Sequence, residues 1–450
     1  MSRSARVFLL ASPLVLGLAC GGRLGVGDER GVPPDAATLD DAAFDAAAIE
    51  TGPVDAAVAD VADVADAPPP ICACCGGPFA SRINEWTSAV VSTAAGDVVT
   101  GGNVPKPGGI GPLWLARVGH GGVSTWKRVY DGEVGALMSL VEANTGGFVL
   151  LRSEGSGNMG VRVVATNVEG ESLWSKTLGA GKKDAVANGA VATPKGVVVA
   201  GGSYEPSPLS RGAWSVWLDH DGNVLRELVD TSLAGWGAPA SSRSGFVAMC
   251  GWNASGDTCV VEAPDGTVAW RRALPLEWSP MKIAVAEDGS LYAAGVRPAL
   301  EFPWSPDGTR PGRVVVARFD AKGELLWQKE HGWPKPAEVS VQSLIATPDG
   351  GFALNGYLAD PNLKPPKTAP ADAIVWYWHV LRGTAAGAIT WSKGYAPAGP
   401  PGGQGRGVAA CKDGLVLVGA TLTSTPASWM VRTNAAGGVT FAPPGSTIDL

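Results

Sequence analysis

The sequence is poor in charged side chains, in histidine and in apolar runs long enough to cross a membrane. Asp, Glu, Lys and Arg make up 17% of its 450 residues, and only four residues are histidine. Residues 71–450 are neutral in sum and contain no cluster of lysine and arginine. Because nucleic-acid binding requires concentrated positive charge, no nucleic-acid partner is expected. The apolar run Val7–Leu18 is too short to span a bilayer as a mature helix.

The few histidines are dispersed along the chain. His120, His220, His331 and His379 fall at unrelated places, so they predict neither a catalytic cluster nor a metal site. The acids of residues 219–230 are spaced as in a calcium loop, but the glycine required at the sixth place is Val224. This segment is therefore predicted to be a turn. We expect no cofactor and no bound metal.

The N-terminus has the pattern of an export signal. Arg3 and Arg6 precede the apolar run, which ends at Leu18-Ala19-Cys20. A basic start, a short apolar core and a small residue before the cut are typical of a signal peptide, here residues 1–20. The junction resembles the lipobox of bacterial lipoproteins. That resemblance implies a lipid on Cys20 and an outer-membrane location, with an ordinary secreted protein as the alternative.

The next segment has the composition of a disordered tether. Residues 21–70 contain eleven acids, two arginines and a single aromatic residue, Phe44, among many Ala, Pro and Gly. Like charges repel along such a chain, which has too little apolar surface to offset the entropy of ordering. We expect residues 21–82 to form an acidic Ala/Asp/Pro tether that ends in a cysteine cluster.

A repeat organises the rest of the chain. A glycine is followed four residues later by a large side chain, and each copy comes after three other strand-like segments. Four short strands per period of about 50 residues are typical of a β-propeller blade. An all-β, seven-bladed β-propeller is therefore predicted over residues 83–450, with the large residue packed between blades. The seven copies are Gly122/Trp126, Gly170/Trp174, Gly222/Arg226, Gly266/Trp270, Gly323/Trp327, Gly387/Trp391 and Gly437/Phe441.

Two repeat patterns carry a family resemblance. Leu-Asp-x-x-Gly-x-x-x-Trp and Thr-x-Asp-Gly-Gly-Phe resemble the repeats of bacterial envelope propeller lipoproteins, which are related in shape to tryptophan-docking and quinoprotein propellers. The resemblance implies a monomeric, non-enzymatic binding or scaffold module of the cell envelope with a protein or glycan partner. A quinoprotein-like enzyme is the alternative. It would need acids and bases converging on the central channel, and the sequence does not assemble such a set.

Surplus tryptophans indicate where a partner could bind. The chain has 17, of which five occupy the repeat position. The others include residues in the loops that join the second to the third strand and the fourth strand to the next blade. These two loop types share one face, which is the predicted partner-binding face. The alternative is that the rings fill gaps between blades. The residues concerned are Trp236, Trp252, Trp278, Trp304 and Trp333.

The cysteines are predicted to form disulfides in an oxidising compartment. Cys250 and Cys259 flank a short turn, where adjacent antiparallel strands bring side chains within bonding reach. Cys411 lies in blade 7, next to blade 1 in a closed ring. We expect it to pair with Cys74 or Cys75 and so to clasp the ring.

Overall fold

The computed structural model describes residues 79–439, except for the stretches 84–85, 94–95, 107–108, 120–123, 154–159, 180–183, 205–210, 254–255, 277, 279, 299–311, 332–337, 361–374, 396–402, 412–413 and 422–427. The predicted signal peptide, most of the tether, Cys20, Cys74 and Cys75 lie outside the described residues. Within the described ranges, no helix has the length and apolarity needed to cross a membrane.

The described strands form seven antiparallel sheets, arranged as the blades of a β-propeller. The prediction of an all-β, seven-bladed propeller is therefore confirmed. Blades 1 to 3 contain β2 (Trp86–Ser92), β3 (Val98–Lys106), β4 (Gly109–Val118), β5 (Ser124–Val134), β6 (Leu137–Glu142), β7 (Phe148–Ser153), β8 (Val161–Thr166), β9 (Ser172–Leu178), β10 (Asp184–Thr193), β11 (Gly196–Tyr204), β12 (Arg211–Leu218) and β13 (Val224–Asp230).

Blade 4 differs from the others because its first strand is split into two short pieces, β14 (Gly235–Trp236) and β15 (Ala240–Ser241), which both pair with β16. Pro239 lies between the pieces and has no backbone N–H to donate to a ladder. Blades 4 to 6 continue with β16 (Val247–Asn253), β17 (Gly256–Glu262), β18 (Val268–Ala273), β19 (Lys282–Val285), β20 (Leu291–Pro298), β21 (Gly312–Phe319), β22 (Leu325–His331), β23 (Glu338–Ala346), β24 (Phe352–Asp360), β25 (Val375–Gly383) and β26 (Ile389–Tyr395).

Blade 7 is completed by the start of the folded chain. Its sheet has the order β1-β29-β28-β27, made from β1 (Phe79–Ile83), β27 (Gly403–Cys411), β28 (Gly414–Thr421) and β29 (Ser428–Arg432). The sequence placed the fourth strand at the Gly437/Phe441 copy. Gly437 does form the expected turn, but β1 pairs with β29, and Phe441 lies outside the described residues. A strand that precedes blade 1 thus closes the ring, and it begins four residues before the expected boundary.

The core is distributed around the ring. Among the described residues, seven hydrophobic clusters each join two consecutive blades, including blades 7 and 1. Alternate residues of each strand face opposite sides of the sheet, so the central strands β11 and β20 bury both of their faces. Stability therefore depends on seven similar junctions. A junction that differs from the others is a place to look for function.

Candidate binding groove between blades 3 and 4

A single contact recurs at the blade junctions. The repeat tryptophan of one blade packs on the repeat glycine of the next blade, which adopts a positive φ in its turn. A Cβ atom added to that glycine would lie 2.8 to 3.1 Å from the indole at five junctions. Only glycine therefore fits the contact, for space and for backbone conformation. The five pairs are Trp126 on Gly170, Trp174 on Gly222, Trp270 on Gly323, Trp327 on Gly387 and Trp391 on Gly437.

A hydrogen bond fixes the ring at three of these junctions. The indole N–H donates to the carbonyl two residues before the glycine, over 2.8 Å from Trp174 to His220 and 2.9 Å from Trp327 to Ala385. Trp391 donates in the same way to Ala435 over 2.9 Å. Trp126 and Trp270 make the packing contact without this bond. The turn thus offers both an apolar seat and an acceptor to an incoming indole.

In three blades the tryptophan has an arginine as its cross-strand neighbour. The register is the same in all three blades, with the arginine on the third strand and the tryptophan on the fourth. The opposed pairs are Arg117 and Trp126, Arg318 and Trp327, and Arg382 and Trp391. Each arginine pairs with an acid of the preceding hairpin, as Arg382 does with Asp349 at 2.9 Å. The salt bridge with the acid therefore favours arginine on the third strand, and the tryptophan occupies the opposite position on the fourth strand.

Blade 3 exchanges the two residue types. Trp217 stands on the third strand and Arg226 opposite it on the fourth. The hairpin that supplies an acid in blades 5 and 6 carries Lys195 here, so an arginine at position 217 would face a cation. The Lys195 ammonium instead donates to the Asp265 carbonyl of blade 4 over 2.6 Å. Lys195 thus disfavours an arginine at position 217 and links blade 3 to blade 4.

Arg226 does not take the place of the missing ring. Its guanidinium lies 3.5 Å from the centre of the Trp217 ring and donates to both carboxylate oxygens of Glu262, over 2.7 and 2.8 Å. The Glu262 side chain is 5% exposed, and burial raises the pKa of its carboxyl, although hydrogen bonds from Arg226 and Trp217 act in the opposite direction. The Arg226–Glu262 pair links blade 3 to blade 4 at the side of the Gly266 turn and does not cover that turn.

A groove of about 270 Å³ remains at this junction. A Cβ on Gly266 would find no atom nearer than the Lys195 amine nitrogen at 3.8 Å. Trp217, Leu225 and Pro264 supply apolar walls, and the Arg226–Glu262 pair closes one side. The volume falls just below the range of drug-sized ligand pockets, about 300–1,000 Å³, and is suited to one side chain.

The outer strand beside the groove is unusually apolar. Val224, Leu225 and Leu228 on β13 are 46%, 56% and 46% exposed. No other outer strand within the described residues carries three exposed aliphatic side chains. Exposed apolar surface next to a shaped cleft is typical of protein interaction sites. Arg226 was visible in the sequence as an exception to the repeat, but Trp217, Lys195 and Glu262 were missed, because their roles depend on cross-strand register.

The groove opens among the hairpins that join strands one to two and three to four, opposite the face predicted from the surplus tryptophans. Trp236 and Trp278 of that prediction are buried, at 4% exposure each, in the clusters between blades 3 and 4 and blades 4 and 5. Buried rings offer no open platform to a ligand. Trp252 on β16 is half-buried, and Trp304 and Trp333 lie outside the described residues. For these three the binding face stays a prediction.

The cysteines follow the expected layout where they are described. Cys250 and Cys259 are directly opposite in the β16–β17 ladder and form a disulfide. Cys411 is buried at the end of β27. Its expected partners, Cys74 and Cys75, lie outside the described residues, so the clasp stays a prediction.

Five of the described sheets share an irregularity in their first strand. A bulge leaves one residue of that strand out of the ladder. One of the five is a cation, and none is an acid or histidine. They are Ser88, Met138, Asn188, Gln342 and Arg406.

Among the described residues, the histidines and the Asp219 loop share no site, and His120 lies outside those residues. His220 lies in a turn, and His379 is buried in β25, where desolvation lowers its pKa to about 4. Asp219 accepts the N–H groups of Asp221 and Asn223 over 2.9 and 2.7 Å, which makes the loop a turn. A side-chain hydrogen bond from Asn223 is the main cause of its lowered pKa. Within the described ranges, no three His, Cys, Asp or Glu side chains could hold a metal ion together.

Comparison with known proteins finds distant structural neighbours. No family model and no curated protein matches the chain. Among solved structures, the β-propeller domain of Myceliophteria thermophila Cps50 (Swd1) is 9% identical, with a TM-score of 0.49, over 78% of this chain and 99% of that one. The Neurospora crassa Pan2 WD40 domain (12%, 0.46, 78% and 90%) and a streptogramin B lyase (12%, 0.46, 79% and 98%) are similar at the same level.

Proposed function

We propose that this chain is a non-enzymatic binding module that captures a protein partner in the groove between blades 3 and 4. One observation carries the proposal. Of the six junctions whose repeat glycine the structure describes, five are filled by a tryptophan, and the sixth is open. The open junction is also the one flanked by three exposed aliphatic side chains on β13. Burial of such side chains against a partner is favourable by about 25 cal/mol per Å².

The proposal extends to the address of the protein. Arg3, Arg6 and the junction Leu18-Ala19-Cys20 support export with a lipid on Cys20, and the acidic tether would hold the propeller away from the outer membrane of a bacterial envelope. Mass spectrometry of the N-terminal peptide from native cells tests this. A lipidated Cys20 is expected, and an unmodified peptide that spans residue 20 would leave secretion as the alternative.

Site-specific photo-crosslinking tests the groove. Leu225 and Leu173 occupy the same position in their blades, directly before Arg226 and Trp174, and are 56% and 62% exposed. A photo-reactive side chain at 225 is expected to form a covalent adduct with an envelope protein in living cells. The same side chain at 173 is the matched control and should form none. Equal adduct yields at positions 225 and 173 would mean that the partner does not bind in this groove.

Loss-of-function variants complete the test. Leu225→Ser removes an apolar wall of the groove and should reduce the adduct formed from a neighbouring position such as Val268, whereas Leu173→Ser should leave it unchanged. Both changes lie at exposed sites, where substitutions usually alter stability by less than about 0.5 kcal/mol. A difference between them would therefore report binding and not folding.

A further inference from the structure

The geometry of the open junction identifies what enters it. We propose that the groove between blades 3 and 4 takes the indole side chain of one tryptophan from the protein partner, in the place that the repeat tryptophan fills elsewhere. This inference rests on the proposed function and adds the chemistry of the contact.

The receiving half of the contact is intact in blade 4. Gly266 has φ of 89°, close to the values of 71° to 79° at the five filled junctions. Its turn is closed by the same two backbone hydrogen bonds as the turn of Gly323, here from Ala263 to Thr267 and from Gly266 to Ala263, both over 2.8 Å. Blade 4 thus presents the seat that other blades present to an indole. Only the ring is missing.

The acceptor for the indole N–H is also present. At the three junctions with a hydrogen bond, the carbonyl belongs to the residue two before the glycine. The corresponding residue in blade 4 is Pro264, which lines the groove. Within the described part of the chain, no hydrogen bond to Pro264 is formed. An aliphatic side chain could not use this acceptor, whereas an indole gains both packing and a hydrogen bond.

The size and setting of the groove favour a side chain over a larger ligand. About 270 Å³ accommodates one ring system, and the neighbouring surface on β13 is aliphatic. The charged groups at the groove are already engaged, Arg226 with Glu262 and Lys195 with the Asp265 carbonyl. A charged ligand would have to break these contacts. A protein segment that carries a tryptophan between apolar neighbours would not.

Fluorine NMR of a short peptide tests the contact directly. The probe is a capped Gly-Leu-Trp-Leu-Gly peptide with 5-fluorotryptophan, titrated with the purified full-length chain. A single side chain in a shallow groove should bind with a Kd on the order of 1 mM. The expected result is broadening of the fluorine line, reversed by unlabelled peptide but not by the same peptide with leucine in place of tryptophan.

A filled groove is the decisive control. The double variant R226W/E262T copies the junction between blades 1 and 2, where Trp126 packs on Gly170 and Thr166 holds the ladder position that Glu262 has in blade 4. It should abolish the broadening while keeping the thermal midpoint of the wild type. If the double variant does not fold, Leu225→Ser with its partner control Leu173→Ser takes its place, and only Leu225→Ser should weaken binding.

The outcomes separate this inference from the proposed function. Equal competition by the leucine peptide would overturn the indole assignment while leaving a protein-binding groove. Equal competition by a glucose oligomer would replace the protein segment by a sugar ring. Broadening that persists in the double variant, or no broadening at all, would also overturn the assignment. The proposed function fails separately, if the crosslinks at positions 225 and 173 do not differ.

Discussion

Two junctions on either side of blade 4 are built from the same turn and differ in what covers it. Between blades 4 and 5, the Trp270 ring lies against Gly323, and Trp270 is 6% exposed. Between blades 3 and 4, a Cβ on Gly266 would meet only the Lys195 amine, at 3.8 Å, and an ion pair at the side joins the blades. Both junctions bury a hydrophobic cluster, but the turn itself is covered by a ring at the first and only flanked by a charged pair at the second. The packing surface of the Gly323 turn is used to close the ring, whereas that of the Gly266 turn remains available to a partner.

The largest expected difference follows from removal of the ring. Trp270→Ala leaves a cavity between blades 4 and 5 and should lower the free energy of unfolding by about 3–5 kcal/mol. Arg226→Trp at the other junction, combined with Glu262→Thr to avoid a buried unpaired acid, should keep or raise it. Urea denaturation followed by circular dichroism measures both. If the two changes lowered the free energy of unfolding equally, the junction between blades 3 and 4 would have no space for a ring.

The second effect concerns the disulfide inside blade 4. Cys250 and Cys259 are nine residues apart and join β16 to β17. In the chain-entropy model a loop of this length contributes about 2.5–3 kcal/mol. A reductant should therefore lower the thermal midpoint of the wild type and leave that of a Cys250→Ala/Cys259→Ala variant unchanged. If the reductant left the thermal midpoint of both proteins unchanged, the disulfide would not be stabilising.

Much of the ring could be predicted from the sequence, for a physical reason. The contact between tryptophan and glycine requires a glycine in a turn and a large ring four residues later, and both are visible as residue types at fixed spacing. The blade count and five of the junctions follow from that pattern. The predicted pair of Cys250 and Cys259 had the same local basis, since one short turn brings them together.

The features that were missed depend on partners distant in the chain. Phe79 pairs with Arg432 in the register that Trp391 keeps with Arg382, so it occupies the repeat position of blade 7. No glycine precedes it at the repeat spacing, and its strand has five residues. The role of Trp217 was hidden in the same way, because the exchange with Arg226 shows only when the strands are aligned. Sequence spacing reports local turns, and cross-strand register has to be observed.

A third, smaller difference separates the two glycines. Gly323→Ala and Gly266→Ala both place a side chain at positive φ, which costs about 1–2 kcal/mol. At Gly323 the new Cβ would also lie 2.8 Å from the Trp270 ring, whereas at Gly266 it meets only the Lys195 amine at 3.8 Å. We expect Gly323→Ala to be the more destabilising by about 1–3 kcal/mol, the usual effect of overpacking. Equal effects in urea denaturation would mean that a ring or loop covers Gly266 in solution.

The smallest effect is a dependence on pH that has opposite signs at two ion pairs. Burial raises the pKa of Glu262, so the folded chain holds its proton where the unfolded chain, with a pKa near 4.5, has released it. The stability linked to this proton is present at low pH and is lost as pH rises through the raised pKa. Glu330 is the control, because hydrogen bonding to Arg297 lowers its pKa and its contribution is lost as pH falls. In urea denaturation between about pH 4 and pH 7, the free energy of unfolding of Glu262→Gln should increase relative to that of the wild type as pH rises. That of Glu330→Gln should decrease relative to the wild type over the same range. Parallel curves for the two variants would show that Glu262 is solvated, and that the pair with Arg226 does not close one side of the groove.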